Sequence, residues 1–391
     1  MAVASLGTRR VYGTHTERLE AVLEVTRLLA AEVDLERLLP LCVHKTCEAL
    51  NADRASVFLV DRERDELYTL VVSELEISEI RLHLGSGLAG HVAQSGDTLI
   101  IPDCYQDSRF DHSWDLRTGY RSRAMLVMPL RDISHAVIGV VQVINKLGPD
   151  GELLADAPVP PAFTEEDVEN LSSIAASMTV AVRNALLVGE IRRMFTSTIE
   201  ALAHTIDAKG QETAGHSQRV AATAALVARR MGLMPSEVER IRIAGLLHDF
   251  GKVFVSDRVL QKPGTLDDDE RDEMRLHAAH TRTILDMVRF PAGYEDIPLM
   301  AGQHHERLDG SGYPHGHSGA QITLGGRLLT VADTYDALRM RRVYKPAYSI
   351  GESLALLRQE AAHGKLDSEA VETLATCIDE IERTVGPLRP V

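Results

Sequence analysis

Between Thr164 and Lys209 the chain holds no proline and a single glycine, Gly189, and its apolar residues recur in steps of three and four. Leu171, Ile174, Met178, Ala181, Ala185, Val188, Ile191, Phe195, Ile199 and Leu202 keep that rhythm, which averages near the 3.5 residues of a coiled-coil seam. A helix of this length is more than one small domain buries, so it divides the 391 residues into two halves that must each build a core. One reading packs each end of the helix on its own domain. The sharper expectation is a signalling helix that leaves the first domain, pairs with its twin in a homodimer and enters the second.

The halves differ in pattern. Residues 16–33 and 34–50 have helical spacing, with Asp34 placed to cap the second stretch and Pro40 marking a kink or break in it. Six short runs rich in Val, Ile, Leu and Thr follow, at 55–61, 66–73, 78–84, 97–103, 123–130 and 136–146, with a turn and short helix at 85–96. An antiparallel sheet with helices packed on it accounts for them, and 148–161, rich in Gly, Pro and Asp, reads as a loop. After Lys209 the spacing is helical over 217–231, 235–247, 267–288, 326–339, 350–362 and 368–385. The expected fold class is an α+β first domain with an antiparallel sheet, joined by the long helix to an all-α second domain.

Charge narrows the partners. With 42 Lys+Arg against 57 Asp+Glu the formal net charge is -15, which argues against a nucleic-acid polymer as main partner but leaves room for a small anion in a local cationic pocket. No unbroken apolar run approaches the ~20 residues of a membrane span. The first residues lack the apolar core of a secretory signal, and the four cysteines contain no CxxC pair. A cytoplasmic address is the expectation.

Ten of the 16 histidines lie after residue 200. Glu212 and His216 are four apart and share a helix face; His248–Asp249, His277, His304–His305–Glu306 and Asp333 follow on successive helices or at their ends. Five imidazoles with the carboxylates Glu212, Asp249 and Asp333 suit a borderline divalent metal, not calcium, which prefers oxygen throughout. Eight ligands exceed the needs of one ion, so two or three ions are expected, with a carboxylate such as Asp249 bridging. Such a centre acidifies water at neutral pH and clamps the attacking and leaving oxygens of a phosphoester. His204, His280, His315, His317 and His363 read as packed or surface residues.

In HDFGKVFVSDRVLQKPGTL (His248 to Leu266), MRLHAAH (Met274 to His280), HHERLDGSGYP (His304 to Pro314) and RLLTVADTYDALRMRRVYK (Arg327 to Lys345), residues 193–391 closely resemble the HD-GYP family of the HD phosphohydrolase superfamily. The resemblance implies a metal-dependent phosphodiesterase hydrolysing cyclic di-GMP to pGpG and/or GMP in bacterial signal transduction. It implies metal ligation by His248, Asp249, His277, His304, His305 and Asp333, with Glu212 and His216 completing a third site, and iron or manganese ahead of zinc or nickel. It gives Asp249 and Lys252 catalytic places, puts Lys252, Arg342 and Lys345 on substrate phosphates, sets Tyr313 at the guanine or a partner protein, and makes Asp309 a ligand-orienting or loop-capping residue. Ser256 and Val343 stand where the family often has proline, and ALRM (Ala337 to Met340) replaces an ALTS-like string. Two alternatives remain: another cyclic dinucleotide such as cyclic GMP–AMP, and a non-catalytic c-di-GMP receptor that binds GGDEF-domain partners.

Residues 16–186 resemble a GAF domain, through TGYRSRAMLVMPLRD (Thr118 to Asp132), AVIGVVQVINK (Ala136 to Lys146) and FTEEDVENL (Phe163 to Leu171). The NK…FxxxDE signature of phosphodiesterase GAF domains is matched by Asn145, Lys146, Phe163 and Asp167, with Val168 in place of the last Glu. It implies a Lys–Asp contact pinning the sheet to the outgoing helix. A small ligand, a cyclic nucleotide first, is the expected occupant, against a purely dimerising domain. The expected organisation is a GAF sensor at 16–186, a connecting helix and dimer coiled coil at 164–209, and an HD-GYP domain at 193–391.

Overall fold

In a computed structural model that describes residues 27–29, 32, 34–72, 77–148, 150–154, 160–209, 215–340 and 347–385, the chain separates into two units, Met1–Arg192 and Arg193–Val391. Nearly all of the 16–33 stretch lies outside the described residues; Arg27–Leu29 are helical.

The first unit opens with α1 (Leu35–Leu50), whose N-cap Asp34 accepts a hydrogen bond from the Glu36 N–H at 2.9 Å. The helix runs unbroken through Pro40, so of the kink or break expected there the break does not occur. Leu38, Leu39 and Cys42 are buried on either side of it, so packing holds the turn that proline alone would loosen. Then come β1 (Ala52–Asp61), β2 (Glu66–Val72), β3 (Ile77–His83), α2 (Gly87–Ser95), β4 (Leu99–Ile101), the short α3 (Ser113–Thr118), β5 (Met125–Arg131) and β6 (Val137–Lys146). They form a six-stranded sheet in the order β3-β2-β1-β6-β5-β4, each pair antiparallel. Alternation along the strands feeds two cores. Val57, Leu59, Leu126, Leu130, Val141 and Val143 face α1 and the first turns of the long helix that begins at Glu165, whereas Phe58, Met125, Val127 and Val140 pack with Leu88, Ala89 and Val92 of α2.

α4 (Glu165–Lys209) is the long helix expected from the sequence. Its start is tied to β6, because Asp167 pairs with Lys146 and also accepts the Thr164 N–H at 2.7 Å. Beside that pair the buried Asn145 accepts the Arg123 N–H at 2.7 Å and donates to Tyr120 Oη and the Arg121 carbonyl. The expected seam behaves differently along its length. Leu171, Ile174, Met178, Ala181 and Ala185 are buried in the core of the first unit, so in this stretch the seam is already occupied. Of the apolar residues left exposed beside and beyond it, Val188 and Ile191 continue the expected seam, whereas Val180 and Leu187 lie off it. By length and composition α4 could cross a membrane, which a search for an unbroken apolar run passes over; 44% of its most apolar window is buried inside the protein.

The second unit is helical, as expected: α5 (His216–Arg230), α6 (Pro235–Leu247), a 3-10 segment (Phe250–Phe254), α7 (Asp257–Leu260), α8 (Asp268–Leu285), α9 (Ile297–Gly302), α10 (Leu324–Arg339), α11 (Ile350–Ala362), α12 (Ser368–Thr376) and α13 (Ile378–Val385). The short α7 and α9 carry too little periodicity to be read in advance. The last expected helix is two, because Cys377 leaves helical backbone and lets Leu374 and Ile381 each reach the core. That core is built from α5, α6 and α10, with Val220, Ala224, Val227, Ile243, Leu246 and Leu329 at its heart.

Candidate metal centre

The ends of these helices bring titratable side chains to one place. His216 is the first residue of α5, and His248 and Asp249 end α6 where the chain turns into the 3-10 segment. His277 lies in the middle of α8, His304 and His305 follow α9, and Asp333 lies in α10. Gly251 lets the 3-10 segment approach α8: a Cβ there would stand 2.0 Å from the His277 carbonyl and 2.5 Å from the Thr281 nitrogen. Thr281 completes the contact, accepting the Gly251 N–H and donating to the His248 carbonyl, both at 2.8 Å.

Three imidazoles are oriented in the same way. Nδ1 of His248, His277 and His304 donates to the carbonyl three residues earlier, Gly245, Met274 and Ala301, at 2.7, 2.6 and 2.7 Å. Each Nε2 therefore keeps its lone pair and turns it inward. Nε2 of His277 and His304 lie 3.1 Å apart, and Nε2 of His216 and His248 3.2 Å apart. Asp249 stands between the pairs. Its Oδ1 is 3.4 Å from His277 and 3.9 Å from His304, and its Oδ2 is 3.4 Å from His216 and 3.3 Å from His248. Asp333 likewise sets Oδ1 3.3 Å from His216 and Oδ2 3.7 Å from His305.

At His277, His304, His305, Asp249 and Asp333 the electrostatics favour lone pairs and carboxylates. Burial, then the neighbouring imidazoles, pushes His304 well below the usual histidine range. Burial lowers His277 and takes His305 down to about 3, despite the opposing carboxylates. Burial pushes the Asp249 and Asp333 carboxyls up, but Lys252 and the histidines around Asp249, and His216 and His305 around Asp333, hold both below the usual carboxylate range. His216 goes the other way: burial pulls it down, and bonds to Asp249, Asp333 and Asp336 raise it well above the ordinary value. Neutral imidazoles and ionised carboxylates are the forms that bind metal.

Donor atoms from His277–His304–His305, His216–His248–Asp333 and His248–Asp249–His304 lie within 4.8 Å of one another in each group. Inward nitrogens with carboxylate oxygens between them fit divalent metal ions of the borderline class. Of the eight residues expected as ligands the structure thus brings together seven, and Glu212 lies outside the described residues, as do Arg342 and Lys345. Lys252 places Nζ 2.5 Å from Asp249 Oδ2. The Tyr313 ring centroid is 4.7 Å from that of His305. His248, His304 and Asp249 are buried, whereas His305, Asp333, Lys252 and Tyr313 are partly exposed and mark the open side.

Around this centre lie supporting residues, of which Asp336, Arg219, Asp207 and Lys209 carry no motif signal. Asp336 takes the Nδ1 of His216 at 2.8 Å and is itself held by Arg219. Glu306 is buried and accepts the backbone N–H groups of His315 and His317, both at 2.9 Å, anchoring the loop after the GYP string. Asp309 accepts from Ser311 N–H and Oγ–H, so it caps that loop. Ser256 donates its N–H to Glu273 at 2.8 Å, a bond the proline common at this position cannot make. The last turn of α4 is fastened beside the centre: buried Asp207 accepts the N–H and hydroxyl of Ser217, next to His216, at 3.1 and 2.7 Å. Lys209 Nζ donates to the Val253 and Val255 carbonyls at 3.2 and 3.0 Å, in the segment that carries Lys252.

Known proteins share both units. The HD domain family matches residues 200–370, and the GAF domain family matches residues 34–182. The 3'3'-cGAMP-specific phosphodiesterase 3 of Vibrio cholerae is 40% identical over 181 residues, covering 46% of this chain and 38% of that protein. The cyclic di-GMP phosphodiesterase response regulator RpfG of Xanthomonas campestris is 37% identical over 200 residues, covering 50% and 52%. The dual 3',5'-cyclic-AMP and -GMP phosphodiesterase 11 of Drosophila melanogaster is 37% identical over 184 residues, covering 43% and 12%. The chain therefore spans about half or less of the length of these relatives. On these matches the chain carries a GAF domain followed by an HD domain.

Proposed function

We propose that this chain is a cytoplasmic bacterial phosphodiesterase that hydrolyses cyclic di-GMP to pGpG and/or GMP, its activity set by the GAF domain. The observation that carries the reading is the convergence of inward-facing His216, His248, His277 and His304 on Asp249, whose two oxygens address different histidine pairs. Two or three divalent ions, iron or manganese ahead of zinc or nickel, would be held by His216, His248, Asp249, His277, His304, His305 and Asp333, with Glu212 completing the third place. When bound they supply Lewis acidity, acidifying water and screening phosphate charge.

The chain's own groups do the rest. In hydrolysis water oxygen bonds to phosphorus, and the ribose O3′ leaves and takes a proton. Lys252, on the open side, sets a fixed cation beside the place where negative charge develops, worth more in a water-poor pocket than in solvent. Tyr313, lying against His305, offers its ring to a guanine. Arg342 and Lys345 are assigned to the second phosphate. The GAF domain takes a small ligand, a cyclic nucleotide first, and acts through α4 on a homodimer; GGDEF-domain proteins are candidate partners at the GYP surface.

The names of several relatives favour 3'3'-cGAMP as a second substrate to be tested. The experiment is anaerobic purification, metal quantification and turnover of both dinucleotides by wild type and by His248→Ala and Asp249→Ala. We expect turnover of cyclic di-GMP, lost at least ~10³-fold in both variants. Full metal loading with no turnover of either dinucleotide would replace the enzyme with a receptor.

A further inference from the structure

His216 is held unlike the other inward-facing imidazoles. His248, His277 and His304 each lean on a neutral backbone carbonyl, whereas His216 Nδ1 meets the carboxylate of Asp336 at 2.8 Å. That carboxylate is gripped by Arg219, Nε to Oδ1 at 2.7 Å and Nη2 to Oδ2 at 3.0 Å. Helix spacing produces the arrangement. Arg219 is one turn beyond His216 on α5, and Asp336 is one turn beyond Asp333 on α10, so α10 presents one carboxylate to the front of His216 and another to its back. His216, Arg219 and Asp336 are 9%, 6% and 7% exposed, and water cannot replace these bonds cheaply.

We infer that Asp336, clamped by Arg219, is a positioning residue that fixes His216 with its proton on Nδ1 and its Nε2 toward the centre. The consequence is local to one part of that centre. A carboxylate behind an imidazole makes it a better donor than a carbonyl does, so the place lined by His216, His248 and Asp333 depends on Asp336, and the place lined by His277, His304 and His305 does not. Arg219 acts through Asp336: its fork holds both oxygens and prevents the carboxylate from turning into the centre as a ligand. The inference rests on the reading of the centre as a divalent-metal site.

The test uses the full chain, stripped with a chelator and titrated with Mn²⁺ under anaerobic conditions, bound ions being counted per chain. Asp336→Asn keeps the shape and one acceptor but removes the charge. We expect one class of Mn²⁺ to weaken about 10–100-fold while another binds as in wild type, the size seen when such outer partners are removed. Arg219→Lys, which keeps a cation but loses the fork, should weaken the same class less, and it carries the test if Asp336→Asn fails to fold. A merely structural residue would lower all classes together with the melting temperature. Wild-type Mn²⁺ binding in both variants, or equal loss from every class, overturns the positioning role and leaves the metal reading intact. A wild-type chain that binds no Mn²⁺ or other divalent ion removes both.

Discussion

Gly251 shows how closely the centre depends on single atoms. A methyl group at this position would press on the backbone of α8 2.0 Å from the His277 carbonyl, with no flexible side chain to yield. Gly251→Ala should therefore cost about 1–3 kcal/mol or more by overpacking. It should also pull Asp249 from His277, lowering bound metal in proportion; chemical denaturation and metal quantification on one preparation check both. At this scale the sequence was legible where chemistry demands a residue type. His248, Asp249, His277, His304, His305 and Asp333 stand out because few side chains bind metal, and the structure brings them together. Asp336 and Arg219 were not legible, since their i+3 spacing is ordinary on a helix and only the fold reveals which ring the carboxylate supports. The carbonyls behind three of the histidines carry no side-chain signal at all.

Among the elements, the sheet and the long helix followed directly from pattern. Short runs rich in Val, Ile, Leu and Thr placed six strands within a few residues of their ends, because the sheet feeds an apolar core on each face. Pro40 and the break at Cys377 escaped, since tertiary packing decided both. The seam of α4 is the instructive case, for its rhythm is shared by residues the first unit buries and residues it leaves exposed. Val180, Leu187 and Ile191 are 62%, 43% and 59% exposed and follow a seven-and-four spacing, which suits a facing helix. We expect Leu187→Asp/Ile191→Asp to shift the chain from dimer to monomer in sedimentation, with the fold of the first unit unchanged by circular dichroism. A wild-type chain that sediments as a monomer at micromolar concentration would remove the homodimer.

For the molecule as a whole, two units with separate cores imply two separable responses to stress. The first has its own ion pair and cores; the second gathers carboxylates and imidazoles whose donor atoms lie close enough to share a cation. Chelation should therefore lower the melting of the second unit alone, by several degrees if ions are present at ~100-fold above their dissociation constant, where linkage contributes about 2.7 kcal/mol. Calorimetry should then resolve two transitions, with the upper or lower one alone responding to added Mn²⁺. A single transition that ignores the chelator would contradict it.

The closing turn of α4 has a mechanical consequence. Asp207 grips the residue beside His216, and Lys209 grips the strand of carbonyls just past Lys252. A twist or slide arriving along that rod cannot reach one without the other, so a nitrogen donor and the ammonium opposite it are yoked to a common axle. Under the control proposed above, throttling would require no relay through the hydrophobic interior, only a fraction of a turn at the rod's end.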